Sequence, residues 1–87
     1  MDLNYIDQGN SNNPTVLFLH GLGADSESWA LQFPALLRAG YRSIAPDLPG
    51  FGHSRFNGRR WNFSFVTGEL IDLLCKLDIP GIHLVGI

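Results

Sequence analysis

The sequence predicts an α/β fold: a mostly parallel, doubly wound sheet with helices on both faces, in three layers (αβα). Two observations predict it. Three short strand-like runs, residues 15–19, 41–45 and 82–87, are bounded by Pro or Gly and separated by stretches with helical spacing. Strand, helix, strand, helix, strand in that order, with right-handed crossovers, makes the three strands parallel neighbours.

Residues 2–8 alternate weakly, with Leu3, Tyr5 and Asp7 on one side, and read as a short strand closed by the turn-forming Gly9-Asn10-Ser11-Asn12-Asn13-Pro14. Residues 15–19 are continuously apolar and β-branched at their start, as in a central strand covered on both faces. A helical pattern then runs from an N-cap at Asp25 or Ser26 through Trp29, Phe33, Leu36 and Leu37 to Gly40. Pro34 either kinks that helix or opens a second, shorter one. A second strand over 41–45 leads into a glycine-rich loop, 46–54. A second helix is expected from Asn62 or Ser64 to Asp78, with Val66, Leu70, Leu73, Leu74 and Leu77 on one stripe. Pro80-Gly81 ends it, and residues 82–87 form a third, buried apolar strand.

Of the 87 residues, 45% are hydrophobic and 16% charged, which is enough apolar side chain to pack and too much for a disordered tail. The net charge of −2 and a single basic cluster, Arg55, Arg59 and Arg60, around the turn-forming Asn57-Gly58, argue against nucleic acid as a partner. Cys75 has no second cysteine to pair with, and no Cys/His spacing suits zinc, so no metal is expected and a reducing, cytoplasmic compartment fits. Met1 is followed by polar residues rather than a basic and then apolar stretch, and no apolar run approaches the ~20 residues of a membrane helix.

Three motifs fall at the C-terminal ends of the expected parallel strands, where open α/β sheets place ligands. They are His20-Gly21-Leu22-Gly23, then Asp47-Leu48-Pro49-Gly50-Phe51-Gly52-His53-Ser54, then Leu84-Val85-Gly86-Ile87. Together they resemble the α/β-hydrolase family, which has a His-Gly motif after one strand, a D-x-x-G-x-G-x-S loop after the next and a G-x-S-x-G nucleophile elbow after the third. Asp47, Gly50, Gly52 and Ser54 match the second pattern, and Gly86 stands where the elbow's first glycine would be. The resemblance spans nearly the whole chain. It implies that the chain is the N-terminal segment of a single hydrolase domain, with nucleophile, acid and base supplied by a C-terminal remainder. Alone, the 87 residues are expected to be inactive and, with a bare sheet edge, to aggregate.

The resemblance also assigns roles. Acyl transfer builds charge on a carbonyl oxygen that preorganised backbone N–H groups must meet. The Leu22 N–H is the implied first oxyanion donor, with His20, Gly21 and Gly23 shaping its loop and the second donor following the nucleophile. His20 is read as a loop-structuring residue rather than the base, which the family places near its far C-terminus. Asp47 is read as tying down its loop through backbone amides rather than as the triad acid. His53 reads as an ordinary loop histidine, His83 as a satisfied core or edge histidine, and Cys75 as a buried inert thiol. Ser26 and Ser54 read as caps or turn residues. Trp29 and Phe51 are candidate substrate-pocket residues.

A different class competes: Gly21-x-Gly23-x-x-Ser26 after a strand, with Asp47 ending the next strand, imitates a dinucleotide-binding fingerprint of a Rossmann oxidoreductase. Ser26 stands where the third glycine should be, and neither the loop after Asp47 nor Val85-Gly86-Ile87 has a part in that motif. The residue after Ile87 separates the remaining readings: Ser for acyl chemistry, Asp for dehalogenase or epoxide hydrolase chemistry, an inert side chain for a non-catalytic receptor or binding scaffold. Epoxide hydrolases and dehalogenases often carry a Pro near the His-Gly motif, where this chain has Gly23. The expected activity is therefore that of a cofactor-free serine hydrolase acting on a small ester, lactone or related carbonyl compound.

Overall fold

The computed structural model describes residues 3–20, 29–49 and 62–86. Six elements follow in chain order: β1 (Tyr5–Gln8), β2 (Thr15–Leu19), α1 (Phe33–Arg38), β3 (Arg42–Pro46), α2 (Phe63–Lys76) and β4 (His83–Gly86). They form one four-stranded sheet of order β1-β3-β2-β4, with β1 antiparallel to β3 and the other neighbours parallel. The parallel α/β architecture and the central place of β2 agree with the sequence pattern.

Alternation along β2 divides the core. Leu17 turns to one face, where it meets Ile44, Leu3 and Leu73 of α2; Val16 and Phe18 turn to the other, where they meet Ala45 and Phe33 of α1. The helices therefore cover opposite faces, and β2 is apolar on both of them from Val16 to Leu19, which is why its sequence lacks the polar-apolar alternation of a one-sided strand. On the α1 face, the ring of Phe18 packs against Trp29 at 5.0 Å and against Phe33 edge-on at 5.8 Å.

Pro34 opens a short helix rather than kinking a long one. It sits in the first turn of α1, where a missing N–H goes unused, and Trp29 lies in the turn before it. The expected caps Asp25 and Ser26 lie outside the described residues. Gly40, with φ +88°, closes α1 in a double bond pattern: its N–H donates to Leu37 at 3.2 Å and the Tyr41 N–H to Leu36 at 3.0 Å. The end of α2 repeats the pattern, Asp78 to Cys75 at 3.1 Å and Ile79 to Leu74 at 2.9 Å, with Asp78 at φ +57° in the glycine's place. Asn62 caps the start of α2, its Oδ1 accepting from the Phe65 N–H at 2.7 Å.

Two expectations are corrected. Cys75 is exposed rather than buried: it follows the buried Leu73 by two positions, roughly 200° around the helix, and so falls on the solvent side. The third strand, expected to be buried, is exposed, because β4 is the last strand of the described sheet, and His83 stands on it as an edge histidine. Leu84 is 63% and Val85 37% exposed, on opposite faces. His83 keeps one aromatic neighbour, the Tyr41 ring, at 6.5 Å.

The pairing of β1 with β3 carries an ion pair that the sequence did not announce. Arg42 is buried, and its Nε and Nη2 donate to the two carboxylate oxygens of Asp7 at 2.9 and 2.8 Å. That hydrogen bonding raises the Arg42 pKa, against the opposing effect of burial. Beside it, Gly9 turns the chain at φ +113°, and a Cβ there would stand 2.8 Å from both the Arg42 Cα and the Tyr41 carbonyl oxygen. Gly9→Ala should therefore destabilise the chain by about 1–3 kcal/mol, read as a lower urea midpoint at unchanged slope. An unshifted midpoint would show that this turn relaxes freely.

Candidate functional site

Parallel pairing sends the C-terminal ends of β2, β3 and β4 to the same edge of the sheet. Leu19 pairs with Gly86, so the chain leaving β2 as His20 starts beside the end of β4. On the other side of β2, the ladder to β3 runs only as far as Leu17 and Ile44. Beyond it the two strands are joined by a side chain instead. His20 is 4% exposed, and its Nε2 accepts the Leu48 N–H at 2.9 Å.

Asp47, just before Leu48, is wholly buried. Its Oδ2 accepts from Asn4 Nδ2 at 2.8 Å, and its own N–H donates to the Asn4 carbonyl at 2.8 Å. The tie runs toward β1, to a side-chain amide and a carbonyl 43 residues earlier in the chain. Sequence reasoning missed Asn4, since nothing local marks an Asn ahead of a short strand as the partner of so distant a carboxylate.

An open cavity of about 300 Å³ lies at this edge. His20, Leu48 and Gly86 line its strand side, and Phe63, Val66 and Thr67 of α2 line the other. Phe63 is 82% exposed there, an apolar ring held at the rim. Trp29 belongs to the α1 face against Phe18 and is not among the described residues lining this cavity. Its indole Nε1 is buried with no acceptor among the described residues. His83 stands at the opposite end of β4 from Gly86, about 10 Å along the strand. Gly21, Leu22, Gly23, Gly50, Phe51, Gly52, His53 and Ser54 lie outside the described residues, as do Arg55, Arg59, Arg60 and Ile87.

Chemically, the edge gathers one imidazole and one carboxylate, each held by specific partners. The Nε2 of His20 accepts a hydrogen bond from a backbone amide. Among the described residues, no group of three or more His, Cys, Asp or Glu side chains is arranged to hold a metal, and no helix is long and apolar enough to cross a membrane.

Comparison with known proteins places this edge in context. Residues 14–87 match the model of the alpha/beta hydrolase fold. An epoxide hydrolase of Caballeronia sordidicola is 43% identical over 75 residues, 84% of this chain and 23% of that protein. A haloalkane dehalogenase from Paraglaciecola agarilytica superposes with a TM-score of 0.83 at 35% identity, over 94% of this chain and 28% of that one. A bromoperoxidase from Bacillus anthracis superposes with a TM-score of 0.90 at 35% identity, over 98% and 30%. The chain thus spans less than a third of the length of these proteins. A sheet with His20, Asp47 and Gly86 at the ends of three adjacent parallel strands, together with a family match over 14–87, makes this chain a member of the α/β-hydrolase fold family.

Proposed function

We propose that this chain is the N-terminal segment of a single-domain, cofactor-free serine hydrolase that cleaves a small ester, lactone or related carbonyl substrate. The observation that carries the reading is the joining of the segments after β2 and β3 by the His20–Leu48 bond, beside the end of β4 at Gly86. His20, from which the segment expected to bear the Leu22 oxyanion donor departs, thus stands beside the strand expected to lead into the nucleophile. Ser, His and Asp of the triad come from the remainder of the domain. Trp29 and Phe51 remain the candidate pocket aromatics, with Trp29 acting from the α1 face. The open flank of the sheet supports the same reading. Val85, with Phe18 and Leu36, lines an apolar groove of about 640 Å³ on the α1 face, and Leu84 is bare on the other. Further strands and helices of one domain would bury both. The exposed thiol of Cys75 suits a reducing, cytoplasmic setting, and a small molecule rather than nucleic acid or membrane is the partner.

The similarity to an epoxide hydrolase and to a haloalkane dehalogenase favours a second reading, an Asp nucleophile opening an epoxide or displacing a halide. Gly23, where such enzymes often carry Pro, weighs toward serine. A fluorophosphonate probe applied to the complete protein decides between them. The expected result is one labelled Ser outside residues 1–87 and loss of p-nitrophenyl ester turnover. Turnover of an epoxide or haloalkane without labelling would overturn the serine assignment. Labelling and turnover both absent would favour the non-catalytic scaffold.

A further inference from the structure

We propose that the recess between α2 and the ends of β2 and β4 receives a short apolar arm of the ester substrate, and that Phe63 at its rim is a specificity-determining residue. The inference rests on the serine hydrolase reading and names the substrate arm which that reading leaves open.

One face of α2 builds the outer wall. Phe63, Val66, Thr67 and Leu70 follow the i, i+3, i+4, i+7 spacing of a single helical stripe, and all four line the recess of about 300 Å³. The stripe grades inward: Phe63 is 82% exposed, whereas Val66 is buried and Leu70 packs against the core of Leu17, Ile44 and Leu73. At helical rise, Leu70 lies about 10 Å along the axis from Phe63, so the wall has depth. Asn62 fixes where it starts, because its bond to the Phe65 N–H holds Phe63 in a capped first turn rather than a fraying end. Leu19 and Leu48 supply the facing wall.

The lining selects for an apolar arm. No Asp, Glu, Lys or Arg stands among the described lining residues, so an ionised arm would lose its hydration there without a counter-charge. A single exposed ring is ordinary on a protein surface, but this one borders an apolar recess at the strand ends, where it has area to give to a ligand. The volume is at the small end of the roughly 300–1,000 Å³ of ligand sites, which suits a few carbons rather than a long acyl tail.

Position connects the recess to the chemistry. Gly86 lines it, and on the hydrolase reading the nucleophile follows Gly86 by two positions. Two residues of chain reach no further than about 7 Å, so the reacting carbonyl stands within one short arm of the recess.

The test measures two homologous series on the complete protein: p-nitrophenyl alkanoates, acetate to octanoate, for an acyl arm, and acetates, methyl to hexyl, for an alcohol arm. Each buried methylene is worth roughly fourfold in kcat/KM. The wild type is expected to gain along one series and to level off once the recess is full. In that series, Phe63→Ala should lower the ratio of kcat/KM between the six-carbon arm and the shortest arm roughly 10-fold, mainly through KM. Thr67→Phe, which fills the recess from the same face, should bring the plateau to a shorter arm. Ratios taken within one variant cancel any loss of folded protein. A ratio unmoved in Phe63→Ala, or a plateau unmoved in Thr67→Phe, would overturn the proposal. An unmoved ratio with a melting temperature several degrees lower in Phe63→Ala would overturn it too, and would show the ring to be packed beneath another part of the domain. A complete protein that neither reacts with the fluorophosphonate nor turns over either series would instead overturn the serine hydrolase reading, and the substrate arm with it.

Discussion

Leu22→Pro in the complete protein is expected to lower kcat/KM by roughly 10²-fold or more, while Leu22→Ala keeps most of the activity. The two substitutions separate a backbone role from a side-chain role. A tetrahedral intermediate places a full negative charge on the former carbonyl oxygen, and an N–H fixed in advance stabilises it without reorganising. Proline removes that hydrogen and alanine does not. A parallel drop in both variants would mean that the Leu22 side chain, or folding of the loop, is what matters, and the assignment would fail. Equal and small effects would place the oxyanion donor elsewhere. Thermal melts run on both variants keep loss of fold apart from loss of the donor.

Phe18→Ala should cost about 3–5 kcal/mol of stability, enough to remove much of the 5–15 kcal/mol typical of a small domain. Phe18 is 3% exposed in the central strand, and its ring is the meeting point of Trp29 and Phe33. Truncation would leave a cavity bounded by two rigid aromatics and by β2 itself, none of which can collapse into it without disturbing the sheet. Phe18→Leu keeps most of the volume and should cost roughly 1–2 kcal/mol. Urea midpoints at constant slope measure both. A loss below 1 kcal/mol in Phe18→Ala would show that the α1 face is loosely packed, in keeping with its open groove beside Val85.

Legibility in the sequence followed the range of each determinant. Asn62 capping α2 and Gly40 closing α1 are local: the residue and the groups it serves lie within a few positions, so composition announces them. Asp78 performs the same closure for α2 at positive φ, and a reading tuned to glycine placed the end at Pro80-Gly81 and the helix two residues too long. Pro34 was ambiguous because a proline in a first turn and a proline at a kink follow the same helical spacing. What decided it was the packing of Phe33 onto Phe18 at the head of α1. Cys75 reads as buried because a lone mid-helix cysteine without a neighbouring base usually is, although its angular offset from Leu73 is present in the sequence.

By itself the sequence determined the strand and helix order, the two-sided burial of β2 and the motifs at three strand ends, because each depends on periodicity or on residues adjacent in the chain. Only the tertiary structure decided that Asp47 is held by Asn4, that Arg42 is held by Asp7 and that His20 meets Leu48, at separations of 43, 35 and 28 residues. It likewise decided that β4 lies at the edge of the described sheet rather than inside it. The physical reason is common to all four: a polar side chain or a strand edge finds its partner through space, and nothing in the local pattern of charge or hydropathy encodes which distant backbone will be there.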